Sequence, residues 1–231
     1  MSQLLSIDGI FYVTRWLHYF FGIVWIGHLY YFNFTQGSFM AEADSGTKSG
    51  VLTKLLPRAL YWFRWGAMWT MVTGLIMLSL LAHRNPGYFG TGPGFAISLG
   101  SVLALSMWAN VWFIIWPKQQ VVMRSAAQVA QGGAALPEAA GAGAKALLAS
   151  RTNTMFSIPM LFYMGAASHL PPPVTPDSKV GVAALVLALI YAGLQYNGMK
   201  GKLGPLQTVK GVISCGFGLV AVIWIVMALF I

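Results

Sequence analysis

The sequence predicts an all-α protein, a polytopic transmembrane helical bundle of about six spans, and three observations predict it. Of the 231 residues, 57% are hydrophobic and only 8% charged, against about 25% charged in soluble domains. Apolar stretches close to the roughly 20 residues that cross a hydrocarbon core recur along the chain, at about 9–34, 60–82, 94–116, 152–170, 179–197 and 207–231. Basic residues also segregate. The connections after spans one, three and five, with their flanking helix ends, hold Lys48, Lys54, Arg58, Arg64, Lys118, Arg124, Lys145, Arg151, Lys200, Lys202 and Lys210, whereas the opposite side holds Arg15, Arg84 and Lys179. The positive-inside rule then places both termini on the outer side of a bacterial inner membrane. The net charge of +9 thus reads as topology, with anionic lipid headgroups as counter-charge and no nucleic-acid partner. The longest polar interval, 117–151, is Ala/Gly-rich and too short to bury a core, so residues 1–231 form one integral membrane domain.

Met1–Asp8 is expected at the outer interface; no cleaved signal peptide is expected, because the first apolar stretch is long, bears histidines and lacks a basic region before it. Span one carries His18 and His28 in its stretch Arg15–Phe34 and ends in Tyr30, Tyr31 and Phe32, which suit an interfacial aromatic belt. Ten residues set the two imidazoles roughly 80° and about 15 Å apart on a helix, too far to share one metal. Residues 35–57 read as a polar loop, with Pro57 in the first turn of the next helix. In span two, Arg58 and Arg64 alternate with Tyr61, Trp62, Phe63, Trp65 and Trp69. These arginines read either as snorkelling interfacial anchors or as a basic, aromatic-lined wall for an anionic group. His83 closes this span near the outer surface, before the turn-rich N-P-G-Y-F-G-T-G-P-G.

Span three ends at Pro117 and Lys118; Asn110, in apolar company, needs a hydrogen-bond partner, expected from a neighbouring helix. A helix is expected to continue to Gly132, followed by an Ala/Gly run that is part loop and part helix. Pro159 is expected to kink span four, whose outer half carries the small residues Gly165–Ser168 and then His169. Spans five and six contain no acidic or histidine residue and read as scaffold. A weak echo links H-L-Y-Y-F-N-F-T-Q in span one to W-A-N-V-W-F-I-I-W-P-K-Q-Q in span three, too loose to define a repeat.

The chemistry is bounded by what the spans carry. None of Asp8, Glu42, Asp44, Glu138 and Asp177 lies in a span, which disfavours ion-coupled transport. A single cysteine, Cys215, provides neither an internal disulfide nor a C-x-x-C site, and no C-x-x-C-H for covalent haem attachment occurs. No HExxH, phosphate loop or nucleophile elbow occurs either. What remains is histidine. His18, His83 and His169 fall in outer halves or ends of three spans, and two of them on different helices suit axial ligation of one haem b; His83 and His169 taken singly also read as solvated interfacial residues.

The runs W-L-H-Y-F-F-G-I-V-W-I-G-H-L-Y-Y-F (16–32), L-P-R-A-L-Y-W-F-R-W-G-A-M-W-T-M-V-T-G (56–74) and S-R-T-N-T-M-F-S-I-P-M-L-F-Y-M-G-A-A-S-H (150–169) resemble the membrane N-terminal domain of the cytochrome c-linked bacterial urate oxidase (urate hydroxylase) family. The resemblance is weak over span three and slight over spans five and six. It is to a shortened form, without the C-terminal cytochrome c domain of longer members. It implies a haem-associated membrane domain that passes electrons to a c-type cytochrome, with His18 and His169 at family histidine positions and His28 where a small residue is expected.

The leading expectation is therefore a membrane electron-transfer subunit holding haem b through His18 and His169. His83 is a reserve ligand, Arg15 or Arg84 a propionate partner, and a periplasmic cytochrome c or larger respiratory complex the redox partner. Two alternatives remain: a cofactor-free structural subunit of a redox complex, and a stand-alone membrane oxidoreductase acting on urate or another small reductant.

Overall fold

The computed structural model describes residues 2–231, which are helical almost throughout, with no strand among them. A short helix, α1 (Ser2–Leu5), leads to Ser6, whose Oγ accepts the Gly9 N–H at 3.1 Å and caps α2 (Ile7–Tyr30). Instead of ending in a loop, α2 passes through a π-helical turn at Tyr31–Gln36 into α3 (Gly37–Glu42). The chain breaks only around Asp44, which caps α4 (Ser45–Gly50) by accepting the Thr47 N–H at 3.0 Å and the Thr47 hydroxyl at 2.5 Å. A second π-helical turn, Val51–Leu55, joins α4 to α5 (Leu56–Arg84), with Pro57 in its first turn as expected. The polar loop expected at 35–57 is thus a correction. Its glycines adopt helical backbone, and the one strong punctuation signal is the Asp44 cap.

Thr91 caps α6 (Gly92–Asn110), its Oγ1 accepting the Gly94 N–H at 3.2 Å. A third π-helical turn, Val111–Ile115, continues into α7 (Trp116–Ala130), which stops at Gly132 in the left-handed region (φ +85°). Then α8 (Ala139–His169) runs 31 residues, with Pro159 inside it. It starts well before the expected span because its Ala-rich beginning has high helix propensity. The last helices are α9 (Val180–Lys200) and α10 (Val209–Phe230), the latter capped by Thr208. Of the three π-helical turns, where backbone hydrogen bonding is locally loosened, one contains Asn33 and another directly follows Asn110, the asparagines of the sequence echo.

Among the described residues, four helical segments are long and apolar enough to cross a membrane: Ser45–Arg84, Gly92–Ala130, Val180–Lys200 and Val209–Phe230. The polar character of α8 follows from its position at the centre of the bundle. Thr152, Asn153, Thr154 and Ser157 are each fully buried, facing neighbouring helices. Glycines let those neighbours come close. A Cβ on Gly198 of α9 would stand 2.7 Å from Thr152, and one on Gly216 of α10 would stand 2.3 Å from Ile158. On the far side α2 and α5 pair closely, with Gly66 against the backbone of Trp25.

Side-chain pairings fix the helix directions. Asp8–Arg84 at one end and Phe32–Phe63 near the other make α2 and α5 antiparallel. Tyr30–Ser157 and Asn33–Ser150 make α2 and α8 antiparallel, and Ile158–Gly216 with Phe162–Trp224 make α8 and α10 parallel. The start of α2 and the end of α10 therefore share one end of the bundle, and the long run of lysines and arginines gathers at the other.

Candidate functional site

The most developed polar feature on the α2 side centres on His18. Its Nδ1 lies 3.1 Å from Thr73 Oγ1. That hydroxyl already donates to the Trp69 carbonyl at 2.7 Å, with the Thr70 carbonyl at 3.1 Å, so its oxygen is left to accept. With the hydroxyl so committed, the Nδ1–H tautomer fits this pair, and it leaves the Nε2 lone pair to a ligand. Gly74 makes room for the ring, since a Cβ there would stand 3.2 Å from His18 Cε1. The ring forms one wall of a cleft of about 40 Å³ between α2, α5, α6 and α8, with Trp25, Thr70, Met71, Ser101 and Met164 also lining it.

His169 shares the level of His18. Twelve residues separate Tyr30 from His18 and twelve separate Ser157 from His169, and the Tyr30–Ser157 hydrogen bond joins these antiparallel helices at 2.9 Å. Each histidine thus stands about 18 Å from that bond, in the same direction. The faces differ. His18 turns to α5, while His169 is exposed and lies about 120° around α8 from Ser157. The structure brings the two to one depth without turning them toward each other.

The remaining sequence candidates are distributed differently. His83 is exposed and adjoins Arg84, which pairs with Asp8 at 2.6 Å; this puts it about 15 Å along the α2 axis from His18. Arg15 and Arg84 flank Phe11, their guanidinium carbons 4.6 and 5.3 Å from its ring centroid. Arg84 is thus already paired with a carboxylate, whereas Arg15 carries no ion pair among the described residues. His28 lies 2.7 Å from the Val24 carbonyl through Nδ1, a bond internal to α2. Among the described residues no group of three or more His, Cys, Asp or Glu side chains is arranged to hold a metal.

Two polar assemblies were read only in part from the sequence. Asn110 meets the helix partner its burial demanded: its amide donates to Asn153 Oδ1 at 2.8 Å, and Gln195 Nε2 donates to Asn110 Oδ1 at 2.7 Å. Asn153 in turn donates to the Met107 carbonyl at 2.9 Å, so a chain of amides ties α6, α8 and α9. Gln195 lies in a span that reads as plain scaffold, and only its polarity amid apolar residues could have singled it out. The other assembly is around Arg64, whose guanidinium stacks within 4.0 Å of Trp116, 5.0 Å of Trp112 and 5.7 Å of Trp65. It is turned onto indoles of the following helix, a cation–π cage, while Arg58 donates to the Lys54 carbonyl.

A model of the urate oxidase N-terminal family matches residues 88–228, from the turn after α5 into α10. The 150–169 run falls within the match, and the runs at 16–32 and 56–74 lie outside it. The matched region also includes the two last helices, where the sequence by itself offered little resemblance. No curated protein and no solved structure matches the chain.

Proposed function

This chain belongs to the urate oxidase N-terminal family, and from that membership we propose that it is an integral membrane electron-transfer subunit of the bacterial inner membrane. In this reading it crosses six times, α2 and α8 spanning alongside the four more apolar segments, with both termini outside and the lysine-rich end in the cytoplasm. Electrons pass to a periplasmic c-type cytochrome or a larger redox complex. The observation that carries the reading is the His18–Thr73 pair, which spends a buried hydroxyl on holding an imidazole in the ligand tautomer.

Haem b is the redox group this reading assigns, supplying reversible one-electron chemistry when bound. His18 and His169, at the same depth, are the residues that would hold it, and Arg15 would be the cation for a propionate. His83 remains the reserve ligand, and Arg84 serves a propionate only by releasing Asp8. A cleft of about 40 Å³ is near the volume of a single water and does not admit a macrocycle between the helices as packed.

That small cleft favours a second reading, a cofactor-free subunit whose helices pack against a larger redox complex. One experiment separates the two: a reduced-minus-oxidised spectrum with pyridine haemochrome quantification on the chain purified in mild detergent. One b-type haem per chain, lost in His18→Ala and His169→Ala, supports the first reading. Folded protein without haem overturns it in favour of the second.

A further inference from the structure

Arg151 lies twelve residues into α8, in the half nearer the basic end of the bundle, and is only 9% exposed. Its Nε and Nη1 are both buried without a hydrogen-bond partner. A guanidinium out of water and unpaired is costly, and native structures compensate such charges with an anion or a dense set of acceptors. This chain supplies neither: among the described residues its one ion pair is Asp8–Arg84, at the other end of the bundle. Compensation must come from outside the chain.

The surroundings describe what fits. Gly37, which opens α3, is exposed and without a side chain, and a Cβ there would stand 4.0 Å from Arg151 Nη2. The guanidinium is therefore covered on its Nε and Nη1 sides, and Nη2 is approached past Gly37. A guanidinium N–H edge reached from the surface toward the basic end of the bundle matches a phosphate oxyanion. At the membrane-facing base of a helical bundle, the phosphate present at high concentration is that of a lipid headgroup, and basic pockets between helices are where such headgroups bind.

We propose that Arg151 and the open face of Gly37 form a binding site for the phosphate of an anionic phospholipid in the leaflet at the basic end of the bundle. The site is independent of the redox reading, since it involves neither histidine nor the His18 cleft.

The test is thermal unfolding of the full chain in a neutral detergent, titrated separately with dioctanoyl phosphatidylglycerol, dioctanoyl phosphatidylcholine and inorganic phosphate. Near saturation the phosphatidylglycerol raises the midpoint by about 5–10 °C, the other two do not, and native mass spectrometry retains one such lipid per chain. In Arg151→Gln the half-saturating lipid concentration rises at least about tenfold, while Arg124→Gln, which removes an exposed arginine, responds as wild type. Should Arg151→Gln fail to fold, Gly37→Leu keeps the cation and covers its approach, with the same loss expected. An undiminished response in Arg151→Gln or Gly37→Leu, or an equal response to phosphatidylcholine, overturns the site. An equal response to inorganic phosphate overturns the lipid assignment in favour of a free anion.

Discussion

His18 on α2 and Thr73 on α5 are joined by a 3.1 Å hydrogen bond between Nδ1 and Oγ1, and with the threonine hydroxyl turned to its own helix the Nδ1–H tautomer of the imidazole fits this bond. The partner that fixes a ligand's tautomer commonly contributes about 10–100-fold to affinity for the bound group. Thr73→Val keeps the shape and removes the acceptor. If His18 holds a haem, the variant loses it about 10–100-fold more readily on dilution or competition with apomyoglobin, and Thr73→Ser restores retention. Unchanged retention in Thr73→Val would detach the pair from any ligand role.

The amide chain is a stability device. Asn153 is fully buried, and Asn153→Ala leaves Asn110 and the Met107 carbonyl each short of a partner. The expected cost is about 1–2 kcal/mol, read as a lowered unfolding midpoint in detergent. Asn110→Leu combined with Asn153→Leu costs less than the sum of the single changes, because the Asn110–Asn153 bond is lost only once and neither asparagine is left facing an apolar replacement of the other.

Glycine positions divide by what faces them. At Gly66 a side chain would meet the Trp25 backbone at 3.0 Å, and backbone cannot rotate away. Gly66→Leu therefore forces α2 from α5 and destabilises by about 1–3 kcal/mol. Gly193, inside α9, faces open space, so Gly193→Ala stabilises by about 0.5–1 kcal/mol through helix propensity alone. Opposite signs in the same unfolding assay check the close packing of α2 on α5.

Asp44 couples the start of α4 to acidity. The hydroxyl and N–H of Thr47 hold its carboxylate below the ordinary range. Its folded pKa is thus lower than its unfolded one, so its contribution is complete above the unfolded value and is lost as pH falls through the folded value. Hydrogen-exchange protection of the amides at 46–48 should fall over that acidic window. In Asp44→Ala it is low at every pH.

Helical class, the apolar stretches and the segregation of basic residues were determined by the sequence, because each depends on local composition: helices satisfy their own backbone, and apolar length is counted residue by residue. The caps at Asp44, Thr91 and Thr208 are local too, although the continuous helix through 45–57 hid behind the polarity of that stretch. The family is likewise legible, though its matched residues, 88–228, are centred further along the chain than the motifs that first suggested it. Tertiary structure alone decided the rest. That His18 faces Thr73, that His169 shares its depth from another face, that Gln195 closes the amide chain on Asn110, and that Arg151 is enclosed without a counter-ion all depend on the rotation and register of separate helices. Those are set by where glycines such as Gly66, Gly198 and Gly216 let backbones approach, a property of pairs of helices that no single stretch of sequence contains.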